Sequence, residues 1–448
     1  MNIHLSKKQY IILSSLLFGL FFGAGNLIFP IHLGQLSNTN WIFATIGFLL
    51  SSILLPLLSI QAISKTESNS MFDLALPTGS IFAFIFMALT HLSLGVLIAS
   101  PRTATVTYSM GIQPLLPTRD NQIGLFIFSL IFFGGSYWLA FKSNQITKYV
   151  GKFLNPVFIL LILFLFILAF VIKGDFRNLP IISHNGQNAS NLATGFLQGY
   201  NTMDALAGLG FGVAIIASLK FFGLKTKRQR SKAVSKIGML TMGFEALIYI
   251  FLIALGVISL KYTSISANGG IAFTEIMKHY TGVFGAALLA TLTLLACLTT
   301  EIGLISSLSQ DWANRFPKLG YHFFLTLSTI GSFIIANFGL TKIITYSSPI
   351  LELLYPIAIA LIILGVLNRY LEQNQIIYKT TIIFTAIPAI LDFIHSLPAP
   401  INQTAFVYHL SQWCNSSIPL FNVGLDFIPF MLFGLIISFI WVKIRKIA

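Results

Sequence analysis

The chain is short of charge. Of its 448 residues only 9% are Asp, Glu, Lys or Arg, where a soluble globular chain carries about 25%. A 49.4 kDa protein cannot cover a water-facing surface with so few, which excludes a soluble fold of two or three domains. Acidic residues are scarcest, 13 against 27 Lys and Arg. The two cysteines, Cys297 in an apolar run and Cys414 in a stretch read as a polar loop, cannot build a disulfide framework. Also missing are H-E-x-x-H, G-x-x-x-x-G-K-[ST], G-x-S-x-G and H-x-x-x-x-D. Without a Walker motif or a nucleotide-sized loop domain, an ATP-driven pump has no place for its chemistry. No repeated filter loop marks an ion channel. No catalytic constellation assembles, so the chain is read as a non-enzyme needing no cofactor, with an intramembrane enzyme as the rival from another class.

Apolar residues are abundant instead: 56% of the chain, at a mean hydropathy of +0.84. A helix needs about 20 of them to cross the hydrocarbon core. Twelve segments qualify, near 10–30, 41–63, 79–108, 121–141, 149–172, 190–217, 236–260, 282–308, 320–338, 342–366, 377–396 and 423–442. Lys7 and Lys8 lead into an uncleaved first helix. Twenty of the 27 basic residues belong to the termini and to the loops after even-numbered segments, and six to the alternate loops. The positive-inside rule then makes both termini cytoplasmic. The densest cluster, Lys220 to Lys236 with Lys225, Lys227, Arg228, Arg230 and Lys232, reads as a topology anchor against anionic lipid.

Two segments are interrupted. The first carries Gly19, Gly23, Gly25 and Asn26 near its middle, and the sixth carries Gly195, Gln198, Gly199, Tyr200, Asn201, Thr202 and Asp204. Glycine within a helix costs about 1 kcal/mol relative to alanine, so such clusters need a reason. They recur five segments apart, at matching places in the blocks 10–172 and 190–366, followed by 377–442. Paired interruptions in two halves point to a transporter's midplane site. A broken helix offers N–H groups and a positive dipole end to a carboxylate, and carbonyls to a bare cation. An amino acid zwitterion with Na⁺ matches that pair of sites. Close helix packing through G-x-x-x-G, at Gly19/Gly23 and Gly208/Gly212, is the competing explanation for the glycines. It does not explain Asn26, Asn201 or Asp204.

Charges inside the membrane are candidates for function: Arg102, Asp204, Glu245, Glu301, Glu352 and Asp392. Arg102 and Asp204 are placed in the substrate site, with mutual pairing that merely holds helices together as the alternative. Glu245 and Asp392, close to predicted ends, are read as snorkelling, and His91 and His395 as packed polar residues. Thr299 and Thr300 put adjacent hydroxyls in the eighth segment; these either bond their own helix carbonyls or help to coordinate a hard cation.

The stretches Leu20 to Gly34 (LFFGAGNLIFPIHLG), Ala99 to Val106 (ASPRTATV) and Gly195 to Leu206 (GFLQGYNTMDAL) resemble the bacterial branched-chain amino acid carrier family. So do Ala296 to Leu304 (ACLTTEIGL) and Ser348 to Ile362 (SPILELLYPIAIALI). The resemblance implies a cation-coupled symporter for leucine, isoleucine and valine in the bacterial cytoplasmic (inner) membrane. It also implies an all-α fold of about 12 transmembrane helices, with the inverted five-plus-five repeat that LeuT typifies and two extra C-terminal helices. Carried onto this chain, Ala24, Gly25, Asn26, Tyr200, Asn201 and Thr202 would hold the substrate. Thr299 and Thr300, with carbonyls near Gly19, Phe22 and Ala296, would hold Na⁺. Glu301 stands after the threonine pair where a small apolar residue is usual, and Glu352 lies in the tenth segment. Both keep open an H⁺-coupled carrier, or one for another neutral amino acid or solute.

Overall fold

A computed structural model describes residues 5–116, 121–141, 155–174, 179, 188–224 and 226–447. The predicted residues 149–154 and Lys225 lie outside that set. Among the described residues the secondary structure is helical throughout, without strands. The helices are α1 (Lys7–Phe21), α2 (Ala24–Ser37), α3 (Trp41–Leu49), α4 (Leu55–Thr66), α5 (Ser80–Leu92), α6 (Ala99–Gly111), α7 (Asn121–Ala140), α8 (Asn155–Phe166), α9 (Asn188–Tyr200) and α10 (Asp204–Phe221). After them come α11 (Lys227–Ser259), α12 (Gly269–Thr281), α13 (Gly285–Arg315), α14 (Gly320–Ala336), α15 (Leu340–Val366), α16 (Gln375–His395), α17 (Ala405–Ser417) and α18 (Phe427–Ile447).

Nine described stretches are long and apolar enough to cross a membrane, ten with the bent pair Ala189–Tyr200 and Asp204–Lys220. One of the nine, Ala24–Thr66, runs for 43 residues. Straight, it would reach about 65 Å, twice the hydrocarbon core. Asn38, with φ 42° and ψ −113°, divides it in two. α14, apolar but only 17 residues long, completes the set. Each of the twelve expected segments therefore falls on an apolar helix. Among the helices given above, α12 and α17 were not expected; they lie in the intervals after the seventh and eleventh segments, and single turns at Met71–Ala75 and Asn368–Leu371 fall in two other intervals. Cys414 is buried within α17 and does not lie in a loop.

Glycine lets backbones touch. α2 lies against α11, where a Cβ on Gly34 would collide with the Ile253 carbonyl and one on Gly256 with that of Ile31. α10 lies against α4, where a Cβ on Gly208 would strike the Ser59 hydroxyl and one on Gly212 would stand 3.3 Å from Ile60 Cα. Small residues at such contacts replace the hydrophobic drive that lipid removes. The third segment has a π turn at Ser93–Leu97 and leaves helical geometry at Ile98 (φ −128°, ψ −71°). α6 starts afresh there with Pro101 in its first turn, a position that needs no N–H. That restart fixes the height of the next residue, Arg102.

Candidate functional site

Both expected breaks are present, and they meet. In the first, Phe22 (φ −73°, ψ 93°) and Gly23 (φ −126°, ψ −151°) are extended between α1 and α2. Asn26, one turn on, reaches back so that its Oδ1 accepts from the Gly23 N–H at 3.0 Å, satisfying one of the donors a helix start leaves free. A Cβ on Gly23 would stand 2.7 Å from the Thr300 hydroxyl. In the second, the amides of Asn201, Thr202 and Met203 donate to Gln198, Gly199 and Tyr200 carbonyls at 3.1, 3.2 and 2.9 Å. Met203 sits at φ 63°, a left-handed conformation uncommon outside glycine. α10 then begins on Asp204, its carboxylate at the positive end of the dipole. The halves meet at 45°. A Cβ on Gly25 would stand 2.9 Å from both Arg102 Nη2 and the Asn201 carbonyl, so only a hydrogen fits at Gly25, where the two breaks touch.

Arg102 is 1% exposed. Its Nη2 donates to the Asn201 carbonyl at 2.6 Å, which neutralises the negative end of α9. The guanidinium lies 5.1 Å above the Phe29 ring. Nε and Nη1 have no hydrogen-bond partner among the described residues. The alternative of an ion pair that merely ties helices is not realised here. His91 does reach a carboxylate, its Nε2 lying 2.7 Å from Asp311 Oδ2.

Glu245 corrects the sequence reading. It does not snorkel: it is 0% exposed and joins a cluster with Asn26, Asp204 and Tyr249. Asn26 Nδ2 lies 2.7 Å from Asp204 Oδ2, 3.1 Å from Glu245 Oε1 and 2.5 Å from the Tyr249 hydroxyl. That hydroxyl lies 3.0 Å from Asp204 Oδ2 and 2.9 Å from Glu245 Oε1. Tyr249 was not foreseen. The available signal was its spacing, four residues after Glu245 and so on one face of α11. Asp392 is buried too, and lines a cavity of about 260 Å³ with Glu352, His395 and Tyr200.

A cavity of about 20 Å³, room for about one water, lies between the breaks. Ala24, Gly25, Asn26, Arg102, Thr202 and Asp204 line it, as does Thr300. Tyr200 and Asn201 do not; they face two neighbouring cavities, Tyr200 stacking on Tyr355 at 4.1 Å. Of the expected ion ligands, the Thr300 hydroxyl is 3.4 Å from the Gly19 carbonyl across helices, while Thr299 donates to its own helix at Ala296, 2.9 Å away. Phe22 caps the end of α1, its N–H donating to the Phe18 carbonyl at 2.8 Å. Glu301 points elsewhere, accepting from Ser100 at 2.7 Å and Thr103 at 3.2 Å. A larger cavity, about 560 Å³, is lined from α6, α7, α12 and the start of α15, away from both breaks.

Residues 6–445 match the family model described as branched-chain amino acid transport protein. The chain is 38% identical over 427 residues to the branched-chain amino acid permease BrnQ of Lactobacillus delbrueckii subsp. lactis, covering 95% of this chain and 94% of that one. It is 35% identical over 440 residues to the branched-chain amino acid permease BraB of Bacillus subtilis, covering 97% and 96%. Among solved structures it resembles Mhp1, a nucleobase-cation-symport-1 family transporter, in a closed conformation with bromovinylhydantoin bound. There the TM-score is 0.65 at 12% identity, over 97% of this chain and 93% of that one. That likeness shows the LeuT-like transporter fold.

Proposed function

The chain belongs to the branched-chain amino acid transport protein family, and on that premise we propose that it imports leucine, isoleucine and valine with a cation, by alternating access. One observation carries the site: a fully buried guanidinium with two free nitrogens faces Asp204 across the junction of two broken helices. Arg102 and the first amides of α2 would take the α-carboxylate. Asp204, with Thr202 beside it, would take the ammonium. Leu20, Phe21, Leu94, Ala207, Phe211 and Leu304 line the rest, offering an aliphatic side chain contact and no counter-charge. The coupled ion in this reading is Na⁺, held by the Thr299 and Thr300 hydroxyls with carbonyls at Gly19, Phe22 and Ala296. The protein would lie in the cytoplasmic membrane with both termini inside, leaving Lys220 to Lys236 on anionic lipid.

The deciding experiment is labelled leucine, isoleucine and valine uptake into proteoliposomes, with Na⁺ replaced by choline or Li⁺. Each of the three should compete with the others, and lysine and glutamate hardly at all. Equal competition by lysine rejects the substrate; undiminished uptake in choline rejects Na⁺.

A further inference from the structure

We infer that a membrane-facing groove between the third segment, the end of α14 and the first half of α15 binds one anionic phospholipid. Its phosphate would lie at Lys342 and one acyl chain along the groove, against the restart of α6. Neither the substrate nor the ion proposed above enters into this site.

Depth comes first. Lys342 is in the first turn of α15, at the edge of a span. Tyr346 and Ile350 follow at four-residue spacing, on the same face of the helix. Cation, amphipathic ring and aliphatic chain then stand in the order that a membrane interface sets. From Lys342 to Ile350 the helix climbs about 12 Å, close to half of the hydrocarbon core and so the depth of one leaflet.

A hollow of about 480 Å³ follows that stripe. Leu97, Ile98, Ile335, Ile343 and Ile350 wall it, and Ile98 is the residue at which α6 starts afresh. Its lining residues Phe338 and Tyr346 are 58% and 60% exposed, so the hollow opens outward. Ser347 is spent, its hydroxyl donating to the Ile344 carbonyl at 2.8 Å. Beneath the Tyr346 ring the walls are therefore apolar, and such a space does not hold water.

At its upper end the groove meets the cavity of about 560 Å³, which shares Phe338 and Lys342 with it and adds Gln113, Asn121, Gln122 and Thr341. Lys342 thus stands where an apolar hollow gives way to a polar one, as a phospholipid gives way from chain to headgroup. Charge selects the lipid. Among the described residues no carboxylate pairs with Lys342. Glu275, the acid that shares the polar cavity, instead accepts from the Thr263 and Ser266 hydroxyls at 2.6 and 3.1 Å. A phosphodiester carrying a net negative charge supplies the missing counter-charge. In the proposed topology this site is at the outer face, opposite the cluster Lys220 to Lys236.

The test uses the full-length protein, with dioleoyl phosphatidylglycerol as the probe and bound lipid counted by native mass spectrometry. Lys342→Gln, a change on an exposed side chain, should weaken one bound phosphatidylglycerol by about fivefold, and Lys342→Arg should keep it. Ile350→Trp fills the hollow and leaves the cation, and should weaken the same lipid. Dioleoyl phosphatidylcholine and inorganic phosphate should displace it poorly. Lys342→Gln holding phosphatidylglycerol like wild type, or phosphatidylcholine held as tightly, overturns the assignment. Retention unchanged in Ile350→Trp reduces the site to surface charge and overturns it too. If Ile350→Trp does not fold, dihexanoyl phosphatidylglycerol decides, since a short chain binding as tightly as the long one leaves the groove no part. Cross-linking of Tyr346→Cys between two copies in bilayers would give the groove to a second chain and overturn the lipid.

Discussion

The two breaks do the same work with different parts. The first is closed by a side chain: Asn26 caps Gly23 and, with its other end, holds Asp204 across the junction. The second is closed mainly by its own backbone, three amides folding onto the preceding turn and Met203 taking up the left-handed conformation. Its remaining carbonyl is covered from outside, by Arg102. The first break should therefore fail when a local side chain is cut, and the second when a distant one is. In a fold built from two related halves, equivalent positions need not carry equivalent chemistry. The half that ends in a negative dipole recruits the guanidinium, and that same guanidinium is left facing the cavity.

Substitutions can break this comparison. The largest loss is expected for Arg102→Gln, which removes both the cover over Asn201 and the proposed anchor for the substrate carboxylate. Truncating one member of a buried charged contact costs about 2–5 kcal/mol, so leucine kcat/KM should fall by roughly 30-fold to several thousand-fold. A tenfold or smaller fall would show that Arg102 serves packing alone. Asn26→Ala should come next, with kcat/KM down by about 30-fold, since a cap and a contact to a buried carboxylate go together. Thr300→Val probes the Na⁺ site proposed beside the first break: half-saturation for Na⁺ should rise by about tenfold. Leucine affinity should recover at high Na⁺, because coupling between two ligands is reciprocal. Unchanged Na⁺ dependence would remove Thr300 from the ion site. The smallest effect is expected for Thr202→Ala, whose hydroxyl donates to Gly199 on the turn that the backbone already holds. A change in kcat/KM of no more than about threefold fits the loss of one auxiliary bond; a loss as large as that of Asn26→Ala would erase the distinction between the breaks.

The spans and the breaks were legible because they are local. Twenty apolar residues, or Gly-Ala-Gly-Asn amid leucines, announce themselves within one window. Arg102 and Asp204 were legible for a related reason, being charges where lipid forbids them. Partnership was not. Asn26 and Glu245 are 219 residues apart, and nothing near Glu245 says that it turns inward; its distance from a predicted helix end suggested the opposite. α12 and α17 were missed because amphipathic helices on the bundle's ends lack the uninterrupted apolar run that marks a span. Tyr200 was placed in the substrate site by proximity to the break, but its ring stacks on the buried Tyr355 and lines another cavity.

The space between the breaks has a kinetic consequence. Room for about one water cannot admit leucine, so this conformer takes part in binding only by first giving way to another. The observed association rate should then level off as leucine concentration rises, at the rate of opening and not of diffusion. Apparent affinity is weakened by the fraction of molecules that are closed. Any variant that loosens the junction at Gly25, for example by forcing a methyl group against Asn201, would raise that ceiling even where it harms the site itself.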